Sequence, residues 1–190
     1  MAAISAGVAR RKDLVQAITL SDNAAAERLW EALGGGTLAA EAATAQVREA
    51  GDARTEIQAR RLRPGFTAFG QTQWGLADQA RFAAGMSCGN AGRQVRALMN
   101  DVAEGQRWGL GSTGNAAQFK AGWGPGVSPG QGDGWLDRQL GIVMVDDRPI
   151  AVAMITTAAD HPSGARSLTT IARWVVAHIN AKRAPRTAQC

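Results

Sequence analysis

An α+β fold is the class this sequence predicts: a helical region, a three-stranded antiparallel sheet, and a C-terminal helix packed on that sheet. Three observations carry the prediction. Residues 1–113 run mainly in helix-forming stretches punctuated by glycine. Residues 114–190 open with three short runs, the last two rich in β-branched residues. The final apolar pattern then returns to a helical period.

Residues 12–17 carry Leu14 and Val15, with Ile18 just beyond, and read as the end of a helix. Ser21-Asp22-Asn23 precedes the helix formers of residues 24–33, which stop at Gly34-Gly35-Gly36. A third helix is expected over 38–50. Residues 51–73 hold Pro and Gly without a clean period, so they form a long surface loop. Helices follow over 75–86 and 92–104, the second capped by Asn90. Strands are expected over 118–123, 139–145 and 150–157, with Asp146-Asp147-Arg148-Pro149 turning a hairpin between the last two. Residues 124–134 are too rich in Gly and Pro for anything but a loop. Over 167–181, Leu168, Ile171, Val175 and Ile179 share one face of a closing helix.

Composition narrows the function. The 190 residues are 45% hydrophobic, enough to bury a core, so a wholly disordered chain is excluded. No apolar run nears the roughly 18 residues of a membrane span. There is no Tyr to act as a phenolic acid, and two His with two Cys are too few for a familiar zinc site. No metal and no cofactor is expected. Cys88 and Cys190 read as two free thiols, because a chain end frays. Lys and Arg total 21 against 16 Asp and Glu. The basic clusters lack interleaved aromatics, so the charge reads as a solvated surface and no nucleic acid is expected. Small apolar residues precede Arg10-Arg11-Lys12, the reverse of a secretory signal, so the chain carries no export address as given.

Several motifs have bland explanations. Gly109-Leu110-Gly111-Ser112-Thr113-Gly114 spells a dinucleotide fingerprint, but a helix precedes it and a strand follows, the wrong order for a phosphate cradle. It is a loop. Gly85-Met86-Ser87-Cys88-Gly89 and Gly126-Val127-Ser128-Pro129-Gly130 match a nucleophile elbow in letters only, since neither has a strand before and a helix after. A triad through His161 or His178 is not favoured, because His178 falls inside the last helix as a surface residue.

Ser21-Asp22-Asn23 is the stronger signal. Its plain reading is an N-cap. Lys120, one of three lysines, stands far downstream on an expected strand, where an unpaired ammonium is a burden. A Ser/Asn pair facing a Lys on a strand edge is an arrangement that binds an anionic substrate and passes a proton to its leaving nitrogen. The two elements together outweigh the cap reading.

The stretch from Gln16 through Ser21-Asp22-Asn23 to Ala26 resembles the second element of class A β-lactamases and related penicillin-recognising serine enzymes. Phe119-Lys120-Ala121-Gly122-Trp123 resembles their third, lysine-threonine-glycine, element. Residues 74–80 resemble the helix after the family's active-site loop, and the last strands and helix fall in the family's order. The resemblance implies an incomplete β-lactamase/transpeptidase-like domain. Ser21 would relay a proton, Lys120 would pair with a substrate carboxylate, and Asn23 would hold a substrate amide. Asp22 would brace its loop from inside. The backbone N–H of Trp123, after Gly122, would form half of an oxyanion hole. Ala121 removes a hydroxyl, and the bulk of Trp123 is expected to narrow the site. The family's usual place of action is the periplasm or cell exterior.

Two departures matter. No carboxylate occurs over residues 57–77, where the family places a water-activating glutamate; Arg60-Arg61-Leu62-Arg63 fills that place, and Glu56 is displaced. No serine has a lysine three positions later, so the family's serine-x-x-lysine nucleophile is not in this chain. The implied reading is a truncated serine hydrolase for β-lactams or D-Ala-D-Ala-type peptides, inactive as this chain. The alternative is a non-catalytic, partner-dependent module. In either case the strand over 150–157 is expected to be a bare, apolar edge open to self-association.

Overall fold

Alanine-rich, β-branch-poor runs and glycine stops shape the first half of the chain; alternating apolar residues shape the second. The structure, a computed structural model, describes residues 1–126, 134–182 and 184. The helices are α1 (Ala2–Ser5), α2 (Arg11–Thr19), α3 (Asn23–Ala32), α4 (Gly36–Glu49), α5 (Leu76–Gly85), α6 (Asn90–Met99) and α7 (His161–His178). The strands β1 (Ala117–Pro125), β2 (Trp135–Val145) and β3 (Arg148–Ala158) form one antiparallel sheet in the order β1-β2-β3. This is the expected α+β architecture.

The sheet separates two packed layers. On one face, Phe119, Val143, Ile150, Val152 and Met154 join Leu168 and Ala172 of α7 in the main core. On the other face lie Lys120, Arg138 and Leu140, in register across β1 and β2. Here α5 packs on β2 and β3, and Phe82 meets Leu140 beside Met86, Val95 and Met99. The β2–β3 hairpin turns through Asp146 and Asp147, both at positive φ (49° and 57°), the twist-matched two-residue turn. Gly141 sits against the backbone and side chain of Phe119, where a Cβ would collide.

Several boundaries differ from expectation for identifiable reasons. The run ending at 17 is a whole helix, α2, after an extended Arg10. Asn90 opens α6 rather than capping it. α6 stops at Met99 because the chain is drawn towards α2: Val102 is buried and the Ala103 N–H donates to the Thr19 carbonyl at 2.9 Å. α7 starts at His161, ahead of residue 167, because Asp160 caps it by accepting the Ser163 N–H at 2.7 Å and Pro162 suits the first turn. Ile171 is exposed, and Ala172 takes the buried place beside Leu168. β2 begins at Trp135, earlier than 139. Cys88 is disulfide-bonded, which corrects the free-thiol expectation; its exposed position on a turn leaves the sulfur within reach of a partner. Cys190, the other cysteine of the sequence, lies outside the described residues, as does Ser128 with the loop over 127–133.

Residues 51–75 form the expected loop, held by two anchors. Trp30 of α3 packs on Phe69 at 5.3 Å, over Ala39, Ala40 and Ala68. Asp52, fully buried, accepts the N–H groups of Arg54 and Thr55 at 3.0 Å and the Trp74 indole at 2.8 Å. β3 is an edge of the sheet, as expected, although it opens on Arg148 and an exposed Pro149, both unfavourable to further pairing.

The revised face of α7 has a measurable signature. Leu168→Ala is expected to cost about 2–5 kcal/mol of unfolding free energy, whereas Ile171→Ala costs no more than about 1 kcal/mol. Urea denaturation of both variants checks this.

Candidate functional site

The site forms where the turn between α2 and α3 meets β1. Lys120 belongs to the strand face that looks towards the helical region. Its Nζ donates to Ser21 Oγ and, at 2.7 Å, to the Ala121 carbonyl. Ser21 Oγ in turn donates to Gln106 Oε1 at 2.7 Å, and the Gln106 amide donates to the Leu20 carbonyl at 2.9 Å. The hydroxyl therefore sits between a nitrogen donor and an amide acceptor, the position a proton relay needs.

Ser21 holds a φ of 56°, in the left-handed region. That conformation costs a non-glycine residue roughly 1–3 kcal/mol and persists where the surroundings enforce it. Here they do. The Asp22 N–H reaches back to the Gln16 carbonyl at 3.2 Å, and Asp22 caps α3 by accepting the Ala25 N–H at 2.9 Å.

No carboxylate pairs with Lys120 among the described residues. Burial lowers its ammonium from the ordinary value of 10.5 to about 8. A second cation shares its face. Arg138 on β2 pairs in register with Gly122, its stem within van der Waals reach of a Cβ placed there, and forms no ion pair among the described residues. Burial lowers its guanidinium too. The face is thus a half-buried positive surface without its own counter-charge, suited to an anion.

The structure brings Ser21 and Lys120 together; Asn23 is exposed on the first turn of α3, with Gly122 two residues beyond Lys120 on β1. Asp22 acts as the cap that the plain reading described. Trp123 departs from expectation. Strand alternation sends its ring to the α7 side, where it stacks on His161 at 4.9 Å, so its bulk does not narrow the Lys120 face. His161 bonds Asp137 at 2.5 Å, with Trp108 and Trp135 alongside. Asp137 is fully buried; desolvation raises its pKa, against the opposing pull of His161. The imidazole is committed there and takes no part at Ser21. His178 stacks on Trp174 at the surface.

The remaining motifs behave as loops. Gly109, at φ 60°, and Gly111 abut Gln139 and Phe119, so close packing accounts for both glycines. Ser87 accepts a bond from Arg96. Glu56 is exposed. For Asp52, burial raises the carboxyl pKa, but bonds from Thr55, Arg54 and Trp74 outweigh it and hold the group below its ordinary value. Gln106 and Arg138 were not foreseen, and only strand alternation could have marked Arg138. A cavity of about 220 Å³ lies among Met1, Ile4, Gln46, Glu49 and Met86, and none of the site residues lines it. Among the described residues, no cluster of His, Cys, Asp or Glu is placed to hold a metal, and no helix is long and apolar enough to cross a membrane.

No family model matches the sequence, and no curated protein matches it. Solved structures do. The chromosome-encoded β-lactamase of Vibrio parahaemolyticus superposes at a TM-score of 0.62 with 17% identity, over 88% of this chain and 64% of its own. A class A β-lactamase from Bacteroides cellulosilyticus gives 0.61 with 16% identity, over 87% and 61%. An ancestral class A β-lactamase gives 0.56 with 26% identity, over 88% and 65%. The fold is class A β-lactamase-like. The chain spans less than two thirds of the length of each of these β-lactamases.

Within this β-lactamase-like fold, Lys120 sets a distinct pH response. Folded Lys120 releases its proton near pH 8, whereas an unfolded lysine keeps it to about 10.5. Between those values the unfolded state binds more protons, so stability rises with pH. Lys120→Met is expected to remove that rise, worth up to about 3 kcal/mol, as measured by urea denaturation from pH 7 to 10.5.

Proposed function

We propose that residues 1–113 and 114–190 together form the substrate-binding wall of a β-lactamase-like or penicillin-binding serine hydrolase. The ligands are β-lactams or D-Ala-D-Ala-type peptides, bound through their carboxylate, and the place of action is the periplasm or cell exterior. The observation that carries this reading is the Ser21–Lys120 contact, made between two elements 99 positions apart in sequence. A buried ammonium without a carboxylate partner is costly unless an anion arrives to pair with it. Arg138 on the same face adds to the attraction. Asn23, exposed beside Ser21, is assigned to the substrate's side-chain amide. The Trp123 N–H, after Gly122, is assigned to the carbonyl oxygen of the scissile bond.

Turnover of β-lactams is not part of this proposal. No serine in the chain has a lysine three positions on, and no carboxylate lies within residues 57–77 to activate water. Benzylpenicillin is expected to bind reversibly in titration calorimetry, and Lys120→Ala is expected to weaken it about tenfold or more, the worth of one charge-assisted hydrogen bond. A fluorescent penicillin should leave no covalent label. Absence of binding would overturn the ligand assignment; a stable label would overturn the inactivity.

A second reading, a non-catalytic module completed by a partner or by another copy, draws support from the outer edge of β3, which no strand among the described residues pairs. Sedimentation equilibrium separates the two: a monomer at all concentrations counts against it.

A further inference from the structure

We propose that Ser21 is itself an acyl-accepting nucleophile, with Lys120 as its general base, and that small activated esters are its acyl donors. This goes beyond the binding reading and does not rest on it: a β-lactam whose carboxylate pairs with Lys120 keeps that amine protonated and so removes the base, whereas a small neutral ester leaves it available. Three features of the structure point to the assignment. The Lys120 amine touches the Ser21 hydroxyl directly, the nucleophile–base contact that serine–lysine hydrolases use. Ser21 is held at a positive φ on the turn between two helices, partly buried. That is the kind of strained turn on which reactive hydroxyls are presented. The third feature is the start of α3 two residues later: Asp22 takes the Ala25 N–H, and the Asn23 and Ala24 N–H groups, which have no partner within the helix, are the donors assigned to an oxyanion.

Neutral Lys120 Nζ accepts the hydroxyl proton, which turns away from Gln106 Oε1. Ser21 Oγ bonds to the ester carbonyl carbon, and the bond from that carbon to the leaving oxygen breaks. The leaving phenolate keeps the electron pair, and Lys120 holds the proton. Removal of the acyl group needs a water-activating base, and the nearby carboxylates are committed or exposed: Asp22 caps α3 and Glu104 faces solvent. The acyl-serine therefore accumulates.

Charged groups of both signs face Lys120 from the elements packed around it. Arg138 approaches from β2, and Arg96 of α6 bonds Gln118 on the same face of β1. Asp22 belongs to the α2–α3 turn, and Glu104 and Arg107 flank the Gln106 turn. Burial of Lys120 favours the neutral amine. Acylation should accelerate as pH rises through about 8, where Lys120 loses its proton.

The test is p-nitrophenyl acetate with the full chain, read as a nitrophenolate burst and as acetyl mass on the peptide containing Ser21. The expected result is a stoichiometric burst that rises through about pH 8. Ser21→Gly, which also relieves the positive φ, should abolish it. Lys120→Met should slow it by about 10²-fold or more. Circular dichroism checks that both variants fold. Acetyl on Lys120 or on surface amines, or an undiminished burst in Ser21→Gly, would overturn the proposal. Benzylpenicillin binding without a burst refutes this proposal alone, and a burst without penicillin binding refutes only the preceding one.

Discussion

One buried cation organises this molecule's chemistry. Lys120 is placed by strand register on the inner face of the sheet, where its solvation is poor and no carboxylate among the described residues compensates it. The groups that meet it are weaker acceptors: a serine hydroxyl and a backbone carbonyl. That shortfall makes the ammonium easy to deprotonate and ready for an anion. It also ties the helical region to the sheet, because Ser21, itself held by Gln106, meets Lys120 only while α2, α3 and the Gln106 turn keep their relative positions.

The two sides of the sheet divide the work. The α7 side is a dry core, closed by Leu168 and Ala172, with Gln139 satisfied by bonds to the backbone of Trp108 and Leu110. The same side takes up the aromatic and imidazole groups, so Trp123, whose ring was expected to narrow the site, packs with His161 around Asp137 instead. The helical side keeps Lys120 and Arg138 half-buried, with the short residue Gly122 between the strands leaving room. Polarity is therefore sorted by the two-residue alternation of β1 and β2 rather than by loops.

Much of this was legible in the sequence. Glycine after residue 33, the two aspartates at 146–147 and the β-branched runs are local signals, and the local structure obeys them. Ser21 and Lys120 were legible because their neighbours form recognisable elements. What escaped was decided by distant contacts. Residues 100–104 have helical propensity, yet burial of Val102 and the bond from Ala103 to Thr19 end α6 early. Pro162 and Gly164 read as loop, but one suits a first helical turn and the other lets α7 pass the Asp137 carboxylate without a Cβ collision. Gln106 is invisible from sequence because a lone Gln in a short turn resembles any surface polar residue until the partner's position is known.

The positive φ of Ser21 also bears on how this chain tolerates mutation. At a left-handed position, glycine and asparagine are the favoured residues, and serine is retained against a standing conformational penalty. Change to glycine or asparagine at residue 21 would relieve that penalty. A population of variants selected only for folding would lose this hydroxyl early, and one selected for the site's chemistry would keep it, which makes residue 21 the place where the two kinds of selection pull apart.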